Sequence, residues 1–299
     1  MKPRKKDLTR KNIGYFFIAP YFIVFFLFTL YPIVYTFILS FQQWDGVSDP
    51  IFLGLENYSR LIKDSSFFKS IGNTILISLC AMIPQMVFGL SLAFILNQQY
   101  LKKVGNFLKP VFYFPNLVTA VSIGILFALI FDWQAGSANK LLMSLGIINE
   151  PYNWKMSVPF SRGVISFILW WQYFGYYTII FTAGIKGIPA ELNEAAEIDG
   201  ANRFQQFTRV TLPQLRPIMT YAFTTSIIGG LQIFDLPYAF GTVEGNPDKS
   251  ILTMVMYMYG TSFKNYNYGY GAAIAYGLFV IVIIFSSIFM KVTAGKEEQ

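Results

Sequence analysis

Long apolar stretches without any charged residue alternate with short charged segments along the whole chain. Six of these stretches contain 33, 32, 22, 23, 18 and 26 residues. A transmembrane helix needs about 20 apolar residues, with a range of roughly 17–25. The pattern therefore predicts membrane-spanning helices near residues 14–41, 71–96, 110–131, 163–185, 217–240 and 269–290. A seventh stretch, between Lys249 and Lys264, has 14 residues and is predicted to be a short interfacial or re-entrant piece.

The composition supports lipid as the main solvent of this chain. Of its 299 residues, 54% are hydrophobic and 13% are charged, whereas a soluble domain carries about 25% charged residues. The predicted fold class is therefore an all-α polytopic membrane protein with six transmembrane helices. Pro20, Pro32 and Pro84 fall inside predicted helices, which membrane helices tolerate because neighbouring groups satisfy the freed carbonyls.

The distribution of Lys and Arg predicts the orientation. Fifteen of the 23 basic residues fall in segments 1–13, 97–109, 186–216 and 291–299, and basic residues favour the cytoplasmic side. We therefore expect a multi-pass protein of the bacterial inner membrane with both termini in the cytoplasm. The basic start could instead belong to a signal peptide, but the apolar run after it is far longer than the 7–15 residues of such peptides and no A-x-A site follows.

Several classes of function are excluded by missing residue types. The chain has no histidine and a single cysteine, Cys80, so neither a disulfide framework nor a Cys/His metal site can form. A nucleophile activated by histidine cannot be built either. No catalytic residue and no metal site are predicted. The basic residues sit at the ends of apolar runs, which indicates topology and not a nucleic-acid surface.

The longest predicted cytoplasmic loop, residues 186–216, contains two short helical patterns. Pro189 suits the first turn of the first helix, and Gly200 supplies a left-handed stop. Asn202 and Gln205 have the spacing of a capping box for the second helix. Phe204, Phe207 and Val210 are predicted to share one side of that second helix, and Pro213 to limit its extension.

The charge of this loop distinguishes two interpretations. A connector lying on the membrane surface would carry a basic polar face. The first helix is acidic instead, through Glu191, Glu194, Glu197 and Asp199. Small residues beside these carboxylates permit close approach by another protein's backbone. The pattern favours docking to a partner over a surface connector.

The same loop carries a resemblance to a known family. It resembles the EAA loop of ABC importer permeases through Glu194, Ala195, Ala196, Asp199, Gly200 and Ala201, followed by Phe204, Phe207, Val210, Leu212 and Pro213. Further stretches resemble the first permease of the maltose-type sugar importers, namely Ile18–Tyr21, Gly54–Tyr58, Asn73-Thr74 and Phe234-Asp235-x-Pro237-Tyr238. One departure is Glu244-Gly245-Asn246-Pro247, where these permeases usually have a Gly-Gly-Pro run.

The resemblance implies a type-1 ABC importer transmembrane fold over residues 71–290, preceded by segment 1–70 and followed by a cytoplasmic tail, 291–299. It implies that residues 189–213 couple the chain to separate ATP-binding subunits at the cytoplasmic face. A second permease, completing a heterodimer, and an extracytoplasmic solute-binding protein would be the other partners. The implied cargo is a sugar, a small oligosaccharide or a related polyol.

The sequence lacks the phosphate-binding string G-x-x-x-x-G-K-[ST] that ATP hydrolysis would need. We therefore expect ATP and Mg²⁺ to be bound by a partner subunit, and this chain to be no enzyme and to need no cofactor of its own. An ion-gradient-driven secondary transporter is the alternative. That class favours internal repeats and carboxylates at the midplane of broken helices, and no repeat is detected here.

Candidate cargo contacts are the polar and aromatic residues inside predicted spans. The fourth span carries a mid-helix cluster that includes Trp171, Phe174, Gly175 and Tyr176, and aromatic rings suit the apolar faces of sugars. Asp235 and Gln232 are candidates in the fifth span, because polar groups in lipid are costly unless they serve a site. Asp235 could equally be an interfacial carboxylate or the partner of a cation on another subunit.

The resemblance implies Phe174, Gly175 and Gln232 as contacts, and it indicates different residues, Trp171 and Thr178, at two further contact positions. No span contains Arg or Lys, which favours a neutral cargo.

Overall fold

The structure, a computed structural model, describes residues 8–294, apart from the side chains of residues 8–14, 99, 102 and 292–294. The outermost parts of the two predicted cytoplasmic ends therefore lie outside the described residues. The helices in chain order are α1 (Leu8–Phe25), α2 (Tyr31–Leu39), α3 (Glu56–Lys63), α4 (Ser65–Leu96), α5 (Lys102–Leu117), α6 (Ala120–Ile130), α7 (Ser137–Ser144), α8 (Val158–Lys186), α9 (Ala190–Ile198), α10 (Arg203–Gln206), α11 (Leu212–Gln214), α12 (Arg216–Leu231), α13 (Asp235–Phe240), α14 (Met254–Tyr259) and α15 (Tyr268–Ala294). Two short strands, β1 (Gln42–Gln43) and β2 (Ile51–Phe52), pair antiparallel.

Five-residue π-helical turns interrupt the helical segments at Phe26–Leu30, Phe207–Thr211 and Gly260–Lys264. The first two of these turns end just before a proline, at Pro32 and Pro213. Proline cannot donate to the carbonyl four residues before it, and its ring crowds that carbonyl. A wider turn accommodates the crowded carbonyl without ending the helix.

One compact unit combines the described part of residues 1–63 with residues 261–277. Asn57 of α3 organises it, because its buried amide donates to the carbonyls of Ser40 at 3.0 Å and Gln42 at 2.9 Å. The hydroxyl of Tyr276 donates to the carbonyl of Ile33 at 2.7 Å. The apolar segment Tyr15–Leu39 is long enough to cross a membrane and is exposed along almost all of its length.

The other compact unit comprises residues 64–260 and the described residues from 278 onward. Its centre is the packing of α4 against α8, to which α12 and α5 are added. The short helices α6 and α13 pack against each other, and Gly124 allows this because a Cβ there would lie 2.8 Å from the Cβ of Ala239. The core of this unit is aliphatic and includes Ile77, Ile165 and Ile168.

Four of the six predicted spans appear as long helices. Among the described residues, Tyr15–Leu39, Ser65–Leu96, Val158–Lys186 and Tyr268–Lys291 are long and apolar enough to cross a membrane, and one bent pair would make a fifth. The second span begins six residues before its predicted start, because Asp64 caps it by accepting from the backbone N–H groups of Ser66 and Phe67. The predicted short piece after Lys249 contains the six-residue helix α14.

The prediction of a continuous third helix over residues 110–131 is wrong. The chain bends by 86° between α5 and α6. Val118 and Thr119 adopt extended conformations there, and the Thr119 hydroxyl caps α6 by accepting from the N–H of Ser122. The carbonyl of Val118 accepts a hydrogen bond at 3.2 Å from Gln172 of α8, so the break is satisfied from a distant helix.

The prediction of a continuous fifth helix over residues 217–240 is also wrong. Helix α12 ends at Leu231 after 16 residues, and α13 begins only at Asp235. Two glycines, Gly229 and Gly230, weaken the end of α12. Pro237 cannot donate to the carbonyl of Ile233. A proline and two glycines within nine residues therefore break the span.

Candidate functional site

The acidic loop folds as a helix, a left-handed turn and a second helical segment. Helix α9 ends at Ile198, and Gly200 has a φ of +80°. Backbone hydrogen bonds close this end, with the N–H of Ala201 donating to the carbonyl of Ala196 at 2.9 Å. No atom lies within 4 Å of a Cβ built on Gly200, so backbone conformation, and not space, requires glycine there. The predicted left-handed stop is confirmed.

The capping box at the start of the second segment is confirmed as well. The N–H of Gln205 donates to the side-chain oxygen of Asn202 at 2.9 Å, and the N–H of Asn202 donates to the Gln205 side chain at 2.8 Å. Each side chain thereby satisfies a backbone N–H that the helix leaves unpaired. Pro189 is the cap residue just before α9, one position outside the first turn in which it was predicted.

The first helix of the loop presents its carboxylates to the surroundings. Glu191, Glu194, Glu197 and Asp199 are all exposed, and α9 has no buried residue. None of the four makes an ion pair with another described side chain. Of the predicted docking residues, the exposed ones are Glu194, Ala195, Asp199, Gly200, Phe204 and Pro213, and the half-buried ones are Ala196, Ala201, Phe207 and Leu212.

The second segment is attached to the end of α4. The ring of Phe207 lies 4.4 Å from that of Phe94, centroid to centroid, while Phe204 is 70% exposed. Phe207 therefore packs against the helical body, whereas Phe204 is left exposed. The π-helical turn that begins at Phe207 changes the angular spacing of the side chains after it, so Val210 does not follow Phe207 at the α-helical spacing used for the prediction. Pro213 lies inside α11, and the helical segment ends one residue after it, at Gln214.

Beside this attachment lies a small cavity between the loop and the adjoining ends of α4 and α8. Its lining includes Phe94, Asn97, Asn193, Arg203 and Phe207. The guanidinium of Arg203 donates to the Gln98 side chain. An aromatic contact and a charged hydrogen bond thus hold the loop to the helical body, while α9 has no buried residue.

The predicted cargo residues of α8 lie on faces that pack against other helices. Trp171 is half-buried, with its ring 6.1 Å from that of Phe127 on α6. Phe174 stacks on Trp170 at 5.4 Å. Gly175 is buried against α5, where a Cβ would overlap the carbonyl of Phe112.

The remaining predicted contacts are separated from this group. Tyr176 is half-buried, with its ring 5.1 Å from that of Tyr177. Gln232 and Asp235 are exposed at the break between α12 and α13. The structure therefore does not bring the six predicted residues together in one cavity.

A cavity does lie between α4, α8 and α12, and it uses a different face of α8. Its volume is about 500 Å³, including solvent at its mouth. Leu169, Tyr173 and Tyr177 line it at a spacing of four residues. The other lining residues are Ser78, Ala81, Gln85, Thr225, Ser226, Gly229, Gly230 and Ile233. None of the lining residues is charged.

The polar groups of this cavity are held in place by hydrogen bonds. Gln85 is 5% exposed, and its amide donates to the carbonyl of Leu169 at 2.8 Å. The hydroxyl of Ser226 donates to the Gln85 oxygen at 3.4 Å, and that of Ser78 donates to the carbonyl of Gly230 at 2.6 Å. The hydroxyl of Tyr177 lies against Ser226. Amide, hydroxyl and aromatic groups without charge can bind a neutral polar molecule.

Sequence reasoning missed Gln85 and Ser226, and it did not select Tyr173 and Tyr177 from the aromatic cluster of the fourth span. An amide in the middle of an apolar span was a usable signal for Gln85, because such a group must find a partner. The i, i+4 spacing of the two tyrosines puts both on one face of α8, but Trp171 and Gly175 have the same spacing, so the sequence did not separate the two pairs. Among the described residues, no three Cys, Asp or Glu side chains are grouped as a metal ion would require.

Comparisons with known proteins agree on one family. Residues 85–293 match the family described as binding-protein-dependent transport system inner membrane component. The chain is 34% identical over 288 residues to the arabinooligosaccharides transport system permease protein AraP of Bacillus subtilis (strain 168), which covers 96% of this chain and 90% of the relative. It is 32% identical to the lactose transport system permease protein LacF of Rhizobium radiobacter, over 84% of this chain and 83% of the relative.

A solved structure shares the fold. A chain of a bacterial ABC transporter involved in the import of the acidic polysaccharide alginate matches with a TM-score of 0.80 and 20% identity, over 96% of this chain and 97% of that one. The fold is thus that of a type-1 ABC importer permease. With its apolar spans, its exposed acidic loop and a family match over most of its length, the chain belongs to the binding-protein-dependent transport system inner membrane components, the multi-pass permeases of ABC importers.

Proposed function

We propose that this chain is a permease subunit of an ATP-driven importer for a neutral sugar, a small oligosaccharide or a related polyol, and that it forms half of the translocation pathway. Family membership carries the proposal, supported by relatives whose names assign them arabinooligosaccharides and lactose. The uncharged cavity between α4, α8 and α12 supports a neutral cargo. Aromatic faces and fixed amide and hydroxyl groups suit sugar rings.

The cargo contacts that we propose include the cavity residues Gln85, Tyr173 and Tyr177. The residues predicted from sequence at the break in the fifth span, Gln232 and Asp235, are exposed and remain candidates. Asp235 can also serve as the partner of a cation on a second subunit. The other predicted positions of α8 would then act indirectly, by packing that fixes the placement of this helix. These positions are Trp171, Phe174, Gly175 and Tyr176.

Residues 189–213 dock on an ATP-hydrolysing subunit in this proposal. The exposed carboxylates of α9 and the small side chains of Ala195 and Ala196 offer a surface for a partner with basic groups in a narrow cleft. The chain contains no G-x-x-x-x-G-K-[ST] string, so ATP and Mg²⁺ belong to that partner, and this chain is not itself an enzyme. Closure of the ATP-binding subunits would move the loop and the attached helices as a rigid body.

Six crossings and cytoplasmic termini complete the topology that we propose. Helices α5 and α6 form the third crossing. The fifth needs both α12 and α13, because 16 residues span only about 24 Å at 1.5 Å per residue, and the hydrocarbon core is about 30 Å thick. A second permease and an extracytoplasmic solute-binding protein are the other partners.

The test is to purify the tagged chain from membranes of its host and to identify what co-purifies. We expect an ATPase and a second permease. Gly200→Val forces a β-branched residue into a left-handed conformation that costs about 1–2 kcal/mol, so recovery of the ATPase should fall about tenfold. Gly200→Asn should retain it, because asparagine tolerates this conformation.

Gly146→Val is the matched control. Gly146 also has a positive φ, +69°, and open space around it, so it imposes the same strain outside the docking loop and should leave the ATPase bound. Uptake into vesicles is then measured with labelled arabinotriose, lactose and diacetylchitobiose. Uptake that proceeds without ATP and follows an ion gradient, with the chain purifying alone, would reject the proposal in favour of a secondary transporter.

A further inference from the structure

The carbonyl of Ile233 lies at the break in the fifth span and needs a donor from elsewhere. In a regular helix the N–H of residue 237 would donate to it, but residue 237 is proline. The hydroxyl of Thr253 donates to this carbonyl instead, at 2.8 Å. Thr253 is fully buried and also caps α14 by accepting from the N–H of Met256. A residue twenty positions along the chain therefore completes the break.

The segment that carries Thr253 is clamped to two long helices. The amide of Asn73 on α4 donates to the carbonyls of Lys249 at 2.6 Å and Leu252 at 3.0 Å. Arg162 on α8 donates to the carbonyl of Ser250 at 3.0 Å and to the Asn73 oxygen at 2.7 Å. Asn73 is 2% exposed. One buried amide and one guanidinium thus fix three backbone carbonyls of the segment.

Two further contacts from α4 hold the end of this segment and the end of α12 before the break. The N–H of Met254 donates to the hydroxyl of Thr74 at 3.0 Å, directly after Thr253. The hydroxyl of Ser78 holds the carbonyl of Gly230 at 2.6 Å. Gly229, Gly230 and Ile233 all line the cavity between α4, α8 and α12. The wall of the cavity is therefore bonded to the clamped segment through the Ile233 carbonyl.

The opposite end of the segment is exposed. Asn246, Asp248 and Lys249 form a turn whose side chains face outward. The exposed ion pair of Lys69 with Asp248, at 3.0 Å, adds little to its stability. We name residues 245–253 the strap. It runs from an exposed turn, past the Asn73–Arg162 clamp, to a hydrogen bond on the cavity wall.

We propose that Thr253, Asn73 and Arg162 are positioning residues, which fix the cavity wall at Ile233 and transmit a displacement of the exposed strap turn to that wall. This inference rests on the proposed function only in identifying the cavity with the cargo pathway. A partner that moves the turn by contact would change the cavity without touching its lining. The strap itself contacts no cargo in this scheme.

The experiment uses the complete transporter, purified with its partner subunits and placed in lipid nanodiscs. Hydrogen exchange of peptides covering residues 228–236 is compared between wild type and Thr253→Val, which removes the hydroxyl at constant shape. Exchange of these amides should rise roughly twofold to tenfold, as expected for the loss of one net hydrogen bond. Thr253→Ser keeps the hydroxyl and should restore the wild-type rate.

Arg162→Lys is the second variant, since a lysine cannot make both guanidinium bonds and should raise exchange in residues 228–236 and in the strap. Lys69→Ala, which removes only the exposed ion pair, should leave residues 228–236 unchanged. In parallel, the same complete transporter is reconstituted in sealed lipid vesicles. ATP-dependent uptake of labelled arabinotriose into these vesicles should show a raised KM for Thr253→Val with unchanged basal ATP hydrolysis.

Equal exchange in wild type, Thr253→Val and Arg162→Lys would overturn the strap proposal and leave the proposed function intact. Equal exchange in Thr253→Val and Thr253→Ser would also overturn it, because the hydroxyl would then not be the connection. If no sugar probe is taken up by the wild type while the exchange differences persist, the strap proposal stands and the proposed function fails.

Discussion

Gly175, near the middle of α8, is a position at which one added methyl group should destabilise this protein. The backbone of α5 crosses directly over it. A Cβ at Gly175 would overlap the carbonyl of Phe112 and lie 2.8 Å from the backbone nitrogen of Tyr113. Real Cβ atoms are essentially never found within 3.0 Å of another heavy atom. Because the obstruction is backbone, Gly175→Ala can be accommodated only if α5 and α8 separate.

The expected cost follows from two opposing effects. Overpacking of this kind costs about 1–3 kcal/mol, and small residues are what allow membrane helices to approach closely. Replacing glycine by alanine in a helix by itself stabilises the helix by up to about 1 kcal/mol. Gly163, on the same helix, separates the two effects, since nothing lies within 4 Å of a Cβ built there. Gly163→Ala should therefore be neutral or stabilising.

The assay is thermal unfolding in detergent micelles, followed by tryptophan fluorescence on both variants and wild type. We expect a lowered midpoint for Gly175→Ala and an unchanged or raised midpoint for Gly163→Ala. Equal shifts in the two variants would refute the packing argument. An unchanged midpoint for Gly175→Ala together with a raised KM for uptake would indicate instead that Gly175 contacts cargo, as its sequence resemblance implies.

Two further predictions concern the loops. Hydrogen bonds from the amides of Val47 and Ser48 and from the Ser48 hydroxyl lower the pKa of Asp45 to about 2 from its usual 3.8. Because the pKa is depressed in the folded state, the carboxylate should stabilise this turn fully above about pH 4. The turn should loosen as the pH falls towards 2. Hydrogen exchange of residues 45–48 would reveal this, and Asp45→Asn, which keeps an acceptor but does not titrate, should remove the pH dependence. The side chain of buried Asn139 makes hydrogen bonds with two backbone carbonyls, a backbone N–H and an indole N–H. Asn139→Ala leaves these groups unsatisfied, which should lower the stability of the 132–157 loop by about 1–3 kcal/mol per group. The loop should then become accessible to limited proteolysis. Exposed Asn149→Ala should not, and equal cleavage of the two variants would contradict the assignment of Asn139 as the organising residue.

Local motifs of the acidic loop were predictable because their partners are close in sequence. The left-handed turn depends on the conformational freedom of Gly200 alone. The capping box joins Asn202 to Gln205, three residues away. Such features need no knowledge of the rest of the fold. Val210 marks the limit, because it lies inside the π-helical turn that begins at Phe207, where the spacing of an α-helix no longer holds.

The breaks in the third and fifth spans were not predictable in the same way. A charge-free apolar run predicts a span, but it does not predict whether the backbone remains helical throughout. Each break is completed by a group from another element, Gln172 for the carbonyl of Val118 and Thr253 for that of Ile233. In a bilayer a freed carbonyl persists only where protein or water satisfies it. The donors are known only once the chain is folded.

By itself, the sequence determined the class of this protein. The lengths of its charge-free runs and the low content of charged residues suffice for a multi-pass membrane protein, because lipid imposes its length and polarity on every span. The acidic loop indicates a docking partner, and its resemblance to the EAA loop implies a permease. Tertiary structure alone decided which face of α8 lines a cavity. Tyr173 and Tyr177 are four residues apart, and so are Trp171 and Gly175, so no periodicity distinguishes the two pairs. Because α5 and α6 pack against Gly175 and Trp171, the face of α8 that carries Tyr173 and Tyr177 is the one that lines the cavity.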